Sequence, residues 1–186
     1  MLTPLQIATA TGCSADNIAQ VWPLQVAALQ EWNIYSASVE IAAAATIAAE
    51  TPAFWPIREK YDPRLGATAY FTKMYWDNLR VRHFLGNLTP KDAFTYFGRG
   101  LIQITGKDNY DLYGDLCHVD LANNPDLALL PENATSILAA FFSRNHIDTV
   151  AEGGDWRRVR LRVNGGLNGW ERFASVVKAL GGNVVI

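Results

Sequence analysis

The sequence predicts a mainly α-helical fold, and three features lead to that prediction. Helix starts recur along the chain, where Ser, Thr or Pro opens a segment whose apolar residues repeat at helical spacing. The run ASVEIAAAATIAAE is rich in alanine, the strongest helix former. Strand signals are restricted to one alternating segment, LIQIT. At 186 residues the chain suits a single domain, residues 1–186, with two lobes around a cleft and at most a small β-hairpin.

The first three helices are predicted from their caps and breakers. Thr3 and Pro4 supply an N-cap and a first helical residue, and Gly12 ends the first helix. A second helix covers about residues 14–29, after a serine cap. The alanine-rich helix covers about residues 36–51, because the two prolines that follow it exclude helical continuation.

Residues 58–100 are dense in aromatic and turn-forming residues. We expect short helices and loops here, with the small β-hairpin, forming one wall of the cleft. An alternative interpretation of the same pattern is a loop-rich surface with satellite aromatic clusters.

The second half of the chain is predicted to hold three further helices. One follows Gly106, a largely apolar one runs from Pro131 to about Arg144 in the core, and an amphipathic one begins near Trp170. Before the last helix, WRRVRLRVNGGLNG carries four arginines, which we interpret as a solvated face rather than a surface that binds an anionic polymer. Asn164 begins a strong turn signal.

Composition argues against several function classes. The hydrophobic fraction of 49% is ordinary for a globular protein, and the formal net charge of -2 argues against nucleic-acid binding. The alanine run is too short to span a bilayer, and the N-terminus has no secretory pattern, so we expect synthesis in the host cytoplasm without a signal peptide and no membrane insertion. Cys13 and Cys117 are expected to be thiols, with a single disulfide as the alternative. Neither a metal nor a nucleotide cofactor is predicted, because no ligand spacing or phosphate-binding motif occurs.

Glu50 and Glu59 are the candidate reactive pair, nine positions apart with Pro52 and Pro56 between them. In an unbroken helix they would lie roughly 13 Å apart on opposite faces, so the proline break is what lets the chain bring them across a cleft. The helix end and burial against Phe54 and Trp55 are both expected to keep Glu50 protonated. One protonated and one ionised carboxylate is what a glycoside hydrolase needs, although the spacing alone also fits surface glutamates.

The segment FGRGLIQITGKDNY is the second candidate for a functional role. Glycines on both sides of Arg99 permit a tight turn or a close backbone approach. The alternation predicts a short extended segment with Gln103 and Thr105 on one face. An amide beside a hydroxyl suits hydrogen bonding to sugar hydroxyls, N-acetyl carbonyls or a water, although the same pattern occurs on many exposed strands.

Together these segments resemble glycoside hydrolase family 19, the chitinase-like group that includes many phage endolysins. AAETPAFWPIREKY is similar to the family's AAHET context followed by PIRE, and GRGLIQITGKDNY to its GRG-x-IQLTG-x-x-NY signature. VNGGLNGWERF is similar to its NGG-x-NG element with a following arginine. The order of these blocks fits along essentially the whole chain. The resemblance implies a lysozyme-like two-lobed α-helical domain without cofactors, and hydrolysis with inversion by direct attack of water.

The resemblance also implies roles for individual residues. Three are implied to be catalytic: Glu50 as proton donor, Glu59 as base and Thr105 as a holder of the attacking water. Six more are implied to form the substrate-binding cleft: Gln103, Asn109, Tyr110, Asn164, Arg99 and Arg172. Of these, Arg99 would brace the cleft wall and Arg172 would be a structural or electrostatic partner of the carboxylates.

The chain departs from the family pattern at two positions. Ala49 stands where relatives usually have histidine before the acid, which puts the pH optimum in question. Phe97 stands where relatives often have arginine before GRG, which affects substrate contacts.

The function implied is that of a monomeric endolysin that cuts β-1,4 bonds in the glycan strands of peptidoglycan and reaches the wall after release by another agent. A chitinase acting on N-acetylglucosamine polymers is the alternative within enzymes. An inactive wall-binding module is the alternative from another class, and the presence of both glutamates counts against it.

Overall fold

The computed structural model describes residues 1–184, and within this range the chain is mainly α-helical, as predicted. The α-helices are, in chain order, α1 (Pro4–Thr11), α2 (Ala15–Glu31), α3 (Ala37–Glu50), α4 (Ala67–Tyr75), α5 (Leu79–Phe84), α6 (Pro90–Thr95), α7 (Lys107–Cys117), α8 (Pro131–Arg144), α9 (Ile147–Glu152), α10 (Trp156–Asn164) and α11 (Trp170–Ala179). A two-stranded sheet pairs β1 (Ile57–Arg58) with β2 (Arg99–Gly100), and a 3₁₀ helix covers Pro125–Leu129. None of the helices in residues 1–184 is long and apolar enough to cross a bilayer.

Local chemistry sets the helix boundaries that the sequence predicts. The side chain of Thr3 accepts a hydrogen bond from the backbone N–H of Gln6, and the side chain of Gln6 returns one, so α1 begins with a capping box. The hydroxyl groups of Ser14 and Ser36 cap α2 and α3 by accepting hydrogen bonds from the backbone N–H groups of Asn17 and Val39. The third helix ends at Glu50, as the following prolines require.

Helix α3 is the centre of the larger lobe. Residues 42–45 are alanines that are completely buried, so α3 is enclosed on all sides rather than amphipathic. Their small side chains allow α9, α10 and α11 to pack directly against it. Helices α2 and α8 complete this core, and a smaller cluster lies between α7, α8 and the 3₁₀ helix.

The segment α4 to α6 forms the smaller lobe. Its buried side chains, among them Phe71 and Leu85, belong to neither of the two main core clusters. Phe71 instead lies between aromatic rings, with the ring of Phe97 stacked at 4.4 Å and the ring of Tyr75 at 6.1 Å. The region therefore contains both the short helices and the aromatic clusters that the two interpretations of its sequence proposed.

The loop between α3 and β1 folds the chain back, as the prolines predict. Phe54 is its anchor, because the side chain is fully buried and lies 6.4 Å from the ring of Trp22. Phe54 has a backbone φ of 55°, a conformation that is rare for a bulky residue and that requires support from the surrounding packing.

The prediction of an extended LIQIT segment is wrong. Strands β1 and β2 pair antiparallel, and Arg99 forms a further bridge with Ile104, so the residues between them make a turn. Gln103 has a φ of 53°, in the left-handed region. The cause is the close pairing of Arg99 with Ile104, which leaves only a tight turn to connect them.

The cysteines are both free thiols, Cys13 buried and Cys117 partly buried.

Candidate active site

Glu50 is the last residue of α3, and its carboxylate is paired with a buried arginine. The Glu50 Oε1 atom lies 2.5 Å from Nη1 of Arg160, which comes from α10. The side chain of Arg160 is 2% exposed and that of Glu50 is 19% exposed. The remaining nitrogens of Arg160 donate to the backbone carbonyl of Asn168, with Nε at 2.7 Å and Nη2 also bonded. The guanidinium thus ties Glu50 to the turn that follows α10.

This environment differs from the one expected for Glu50. The sequence predicts a carboxylate packed against Phe54 and Trp55, with burial and the helix end keeping it protonated. Phe54 instead packs against Trp22, and the group that faces Glu50 is a cation. The interpretation of the four arginines as a solvated face is wrong for Arg160.

Glu59 follows β1 and is held by donors on both carboxylate oxygens. The Tyr75 hydroxyl donates to Oε1 at 2.6 Å, and the backbone N–H of Gly98 donates to Oε2 at 3.0 Å. The backbone N–H of Glu59 donates to the carbonyl of Gly98 at 2.8 Å. Burial, followed by the hydrogen bond to Glu59, raises the pKa of Tyr75 well above its usual range. Tyr75 is therefore a neutral donor at any ordinary pH, and both carboxyl oxygens of Glu59 act as hydrogen-bond acceptors.

Gln103 connects the two strands and lies next to Glu59. Its Nε2 donates to the carbonyls of Ile57 and Gly100, both at 2.9 Å. A Cβ atom placed on Gly98 would lie 3.0 Å from Oε2 of Glu59 and 3.1 Å from Oε1 of Gln103. The missing side chain at Gly98 is what allows these two groups to lie side by side.

Thr105 and Asn109 continue the same polar surface. The Thr105 hydroxyl donates to the carbonyl of Gln103 at 3.0 Å, and Asn109 Nδ2 donates to the carbonyl of Thr105 at 2.8 Å. These bonds hold both side chains against the backbone and leave acceptor capacity on the Thr105 hydroxyl and the Asn109 amide oxygen.

A groove of about 650 Å³ lies between the lobes and contains four of the predicted cleft residues. Residues that line it include Gln103, Thr105, Asn109 and Asn164. Asn164 is the last residue of α10, and its Nδ2 donates to the carbonyl of Asn168 at 3.1 Å, the same carbonyl that Arg160 holds.

The two glutamates are not part of the groove lining, but each adjoins it. Glu50 reaches the groove through Arg160 and the Asn168 carbonyl, to which Asn164 also bonds. Glu59 lies beside Gln103, a groove-lining residue, where both side chains approach Gly98. The two glutamates thus come from different elements, α3 and the end of β1, and each is linked to a groove-lining residue, Glu50 to Asn164 and Glu59 to Gln103.

The chain is similar in sequence to a family 19 glycosyl hydrolase domain-containing protein and to plant chitinases. No family model matches the sequence. A glycosyl hydrolase family 19 domain-containing protein of Haemophilus influenzae is 37% identical, and the match covers 62% of this chain and 64% of that protein. The chain is a homologue of a family 19 glycosyl hydrolase. Chitinase 11 of Oryza sativa is 48% identical over 61 residues, which is 33% of this chain and 22% of that protein. The chain thus spans less than two thirds of the length of the curated relatives it matches.

Solved structures of family 19 enzymes share the fold. Chitinase C from Streptomyces griseus superposes with a TM-score of 0.66 at 19% identity, over 96% of this chain and 76% of that one. A bacterial family 19 chitinase gives a TM-score of 0.67 at 18% identity, over 97% and 95% of the two chains. The resemblance carried by the sequence motifs is confirmed, and so is the lysozyme-like mainly α fold.

Three residues that the family 19 resemblance implied for the cleft lie elsewhere. Tyr110 is completely buried; its hydroxyl donates to the Phe97 carbonyl at 2.7 Å and accepts from Arg99. The Tyr110 prediction is wrong, because the residue faces inward from α7. Arg99 is 5% exposed and bonds to Asp126 at 2.8 Å, so it braces the wall, as proposed, rather than binding substrate.

Arg172 does not contact the carboxylates. Its Nε donates to the carbonyl of Ala48 at 2.5 Å and its Nη2 to the carbonyl of Thr11 at 3.2 Å. Both acceptors are carbonyls at the C-terminal ends of helices, where a cation is favoured. Of the roles implied for Arg172, these bonds fit the structural one, because the side chain supports the last turn of α3 and hence the position of Glu50.

The departures from the family 19 pattern have structural counterparts. Ala49 Cβ and Arg160 Nη2 both lie against Gly169, so an arginine stands beside the position where the family motif carries histidine. Phe97 stacks on Phe71, and the Arg99 guanidinium lies 3.7 Å from its ring centre. An aromatic side chain at this position therefore covers the buried Arg99.

Sequence reasoning missed Arg160 and Tyr75. Arg160 had a signal, because Trp156, Val159, Arg160 and Val163 follow the spacing of an inward-facing helical stripe. An arginine at such a position calls for a buried acceptor. Tyr75 had no comparable signal, since tyrosines are numerous in that region.

Proposed function

We propose that this protein is a glycoside hydrolase that cleaves β-1,4 bonds between N-acetylated sugars in the glycan strands of bacterial peptidoglycan, as an endolysin does. The observation that carries the proposal is the pair Glu50 and Glu59, held in different polar environments beside a groove lined by neutral hydrogen-bonding groups. Homology to family 19 supports hydrolysis of a glycan.

The two carboxylates have separate tasks in the proposed reaction. Glu59, held by Tyr75 and Gly98, accepts a proton from water as that water attacks the anomeric carbon. Glu50 donates a proton to the oxygen of the leaving sugar, which requires its carboxyl group to be protonated when the substrate is bound. Arg160 donates to Oε1 and so fixes the orientation of the group, while Oε2 carries the proton. Direct attack by water inverts the configuration at the anomeric carbon.

Neutral groups along the groove suit the sugars on either side of the cut bond. Gln103, Thr105, Asn109 and Asn164 present amide and hydroxyl groups. Such groups pair with hydroxyls and N-acetyl groups without adding charge.

A chitinase is the second candidate, because the structures that share this fold include family 19 chitinases. Both candidates need the same catalytic groups. They differ in the polymer that the groove accepts, and therefore in the products.

The proposal is tested by incubating the purified protein with peptidoglycan and with chitin and analysing the ends released. New reducing sugars from peptidoglycan, first formed as the inverted anomer, are expected. Glu59→Gln should reduce the rate at least about 100-fold, because it removes the proposed base.

Three results would contradict the proposal. Release of peptides without new reducing sugars would exclude glycosidase action. Cleavage of chitin alone would favour the chitinase, and binding without cleavage would favour the inactive module.

A further inference from the structure

The groove carries an excess of positive charge that has no role in the proposed catalytic steps. Two arginines, Arg144 and Arg162, line the groove, and no aspartate or glutamate of the described chain does so. In a protein with a formal net charge of -2, this local excess of positive charge is opposite to the overall balance.

Both arginines lie at the same end of the groove. Arg144 is the last residue of α8, and Arg162 Nη1 donates to the carbonyls of Asn145 and His146, at 2.7 and 2.8 Å. Arg162 is thus fixed beside the two residues that directly follow Arg144. Its other guanidinium nitrogens have no bond to a residue in the range 1–184.

The guanidinium of Arg144 has no protein partner among the described residues, either as an ion pair or as a side-chain hydrogen bond. It is exposed, and it lines the groove together with Tyr113. Burial raises the pKa of Tyr113, and the charge of Arg144 acts in the opposite direction. A cation is stabilised at the C-terminal end of α8 whether or not it faces the groove. The helix dipole therefore does not explain why Arg144 lines the groove.

Chitin and peptidoglycan glycan strands differ in the charge that they carry. A chain of N-acetylglucosamine is neutral, whereas the MurNAc unit of peptidoglycan carries a lactyl group that ends in a carboxylate or in a stem peptide with carboxylates of its own. Arginine binds carboxylates through paired N–H donors, which makes it suited to distinguish the two polymers.

We infer that Arg144 and Arg162 form a carboxylate-binding subsite that recognises the lactyl group or the stem peptide of MurNAc and gives the groove its preference for peptidoglycan over chitin. This inference rests on the proposed function and specifies its substrate. The neutral residues beside Gln103 hold the sugar rings, and the arginine pair selects the ring with the acidic substituent.

Binding measurements with three tetrasaccharides test the inference. The ligands are chitotetraose, an alternating GlcNAc and MurNAc tetrasaccharide with free lactyl carboxylates, and the same sugar with stem peptides. Dissociation constants are measured by calorimetry in a Glu59→Gln background, which stops the proposed turnover and leaves the Glu50–Arg160 pair intact.

Arg144→Gln is the informative variant, because the Arg144 side chain bonds to no residue in the described range 1–184. We expect it to weaken binding of a carboxylate-bearing ligand by about three- to tenfold and to leave chitotetraose binding unchanged. Arg144→Lys, which keeps the charge but not the paired donors, should retain only part of the affinity. Arg157→Gln, which removes an exposed arginine of α10 outside the groove, is the matched control and should change none of the three constants.

The results distinguish the two possible carboxylates, and they distinguish this inference from the proposed function. If Arg144→Gln weakens binding of the peptide-free sugar, the subsite binds the lactyl carboxylate. If it weakens binding of the peptide-bearing sugar alone, the subsite binds the stem peptide. Equal weakening of all three ligands, or of none, overturns the inference while leaving cleavage by the native protein as support for the proposed function. Failure of all three sugars to bind overturns both.

Discussion

At the scale of single residues, the pairing of Glu50 with Arg160 has the largest energetic consequence. Arg160 is almost completely buried, and within residues 1–184 it has only Glu50 and the Asn168 carbonyl as acceptors. A buried arginine that loses its carboxylate keeps its charge and loses its main compensation. Function and stability are therefore coupled at the proposed acid.

Glu50→Gln is expected to lower the free energy of unfolding by about 2 kcal/mol, and Arg160→Met by about 2–3 kcal/mol, because each leaves a charged partner uncompensated. The double variant should lose about 1–3 kcal/mol less than the sum of the two. Urea unfolding of the four proteins measures this coupling. Additive losses would show that the pair does not stabilise the fold as a unit.

Tyr75 is the residue that orients Glu59. Its raised pKa keeps the hydroxyl protonated, so its hydrogen bond to Glu59 persists over any practical assay range. Tyr75→Phe should reduce kcat on peptidoglycan about 10- to 100-fold at all pH values tested, since it removes a hydrogen bond to a charged group.

Tyr70→Phe is the matched control for this prediction. Tyr70 packs edge-on against the same Phe71 ring, and its hydroxyl bonds to no residue in the described part of the chain. Its removal should leave kcat within about twofold of the native value. Similar rates for the two variants would exclude the orienting role of Tyr75.

At the scale of elements, the hairpin of β1 and β2 determines how closely Glu59 and Gln103 approach each other. Their side chains meet over Gly98, where even a Cβ atom would lie within 3.1 Å of an oxygen of each. The backbone of Gly98 itself does not require glycine, because its φ is not in the left-handed region. Close approach is thus the reason that glycine is needed there.

Gly98→Ala should displace both side chains by a few tenths of an ångström, which is expected to reduce kcat about tenfold. The free energy of unfolding should fall by less than about 1 kcal/mol, because the two nearest atoms are side-chain ends and the third, Cβ of Glu59, would lie at 3.2 Å. Gly153→Ala is the control, since its nearest contact would be an ordinary 3.5 Å. A loss of stability without a loss of rate would contradict the argument.

At the scale of the whole molecule, Asp126 joins three distant segments. Its carboxylate bonds to Arg58 of β1 and to Arg99 of β2, and it belongs to the 3₁₀ helix that packs on α8. Burial acts to raise the pKa of Asp126, but the bonds and charges of Arg99 and Arg58 outweigh it, so the pKa lies below its ordinary value. Solvent screens the ion pairs of Asp126 and reduces their contribution to stability, because its side chain is 57% exposed.

The contribution of Asp126 should therefore depend on pH in a defined direction. A carboxyl group whose pKa is lowered by folding adds stability above its ordinary value of about 3.9 and loses that contribution as the pH falls through the lower folded-state pKa. Asp126→Asn should cost about 1 kcal/mol near pH 7, and the difference from the native protein should vanish in strong acid. Urea unfolding at both pH values measures this. A difference that stays constant with pH would contradict the ion-pair origin.

The amino-acid sequence by itself determined the helices and the positions of the functional segments. Helix boundaries at Thr3, Ser36 and Glu50 follow from caps and prolines, which act within three or four residues of the chain. The motif residues Gln103 and Asn109 were likewise identified from their order along the chain. These features are local, so tertiary packing did not need to be known.

Tertiary structure alone decided which side chains meet. It turned Arg160 inward to Glu50, directed Arg172 to the carbonyls of α1 and α3, and buried Tyr110 beneath the groove. Each partner lies on an element that is distant in sequence, so the choice depends on how helices pack and on which buried charge needs compensation. Local periodicity shows that a residue faces inward, but it does not show which residue it will meet.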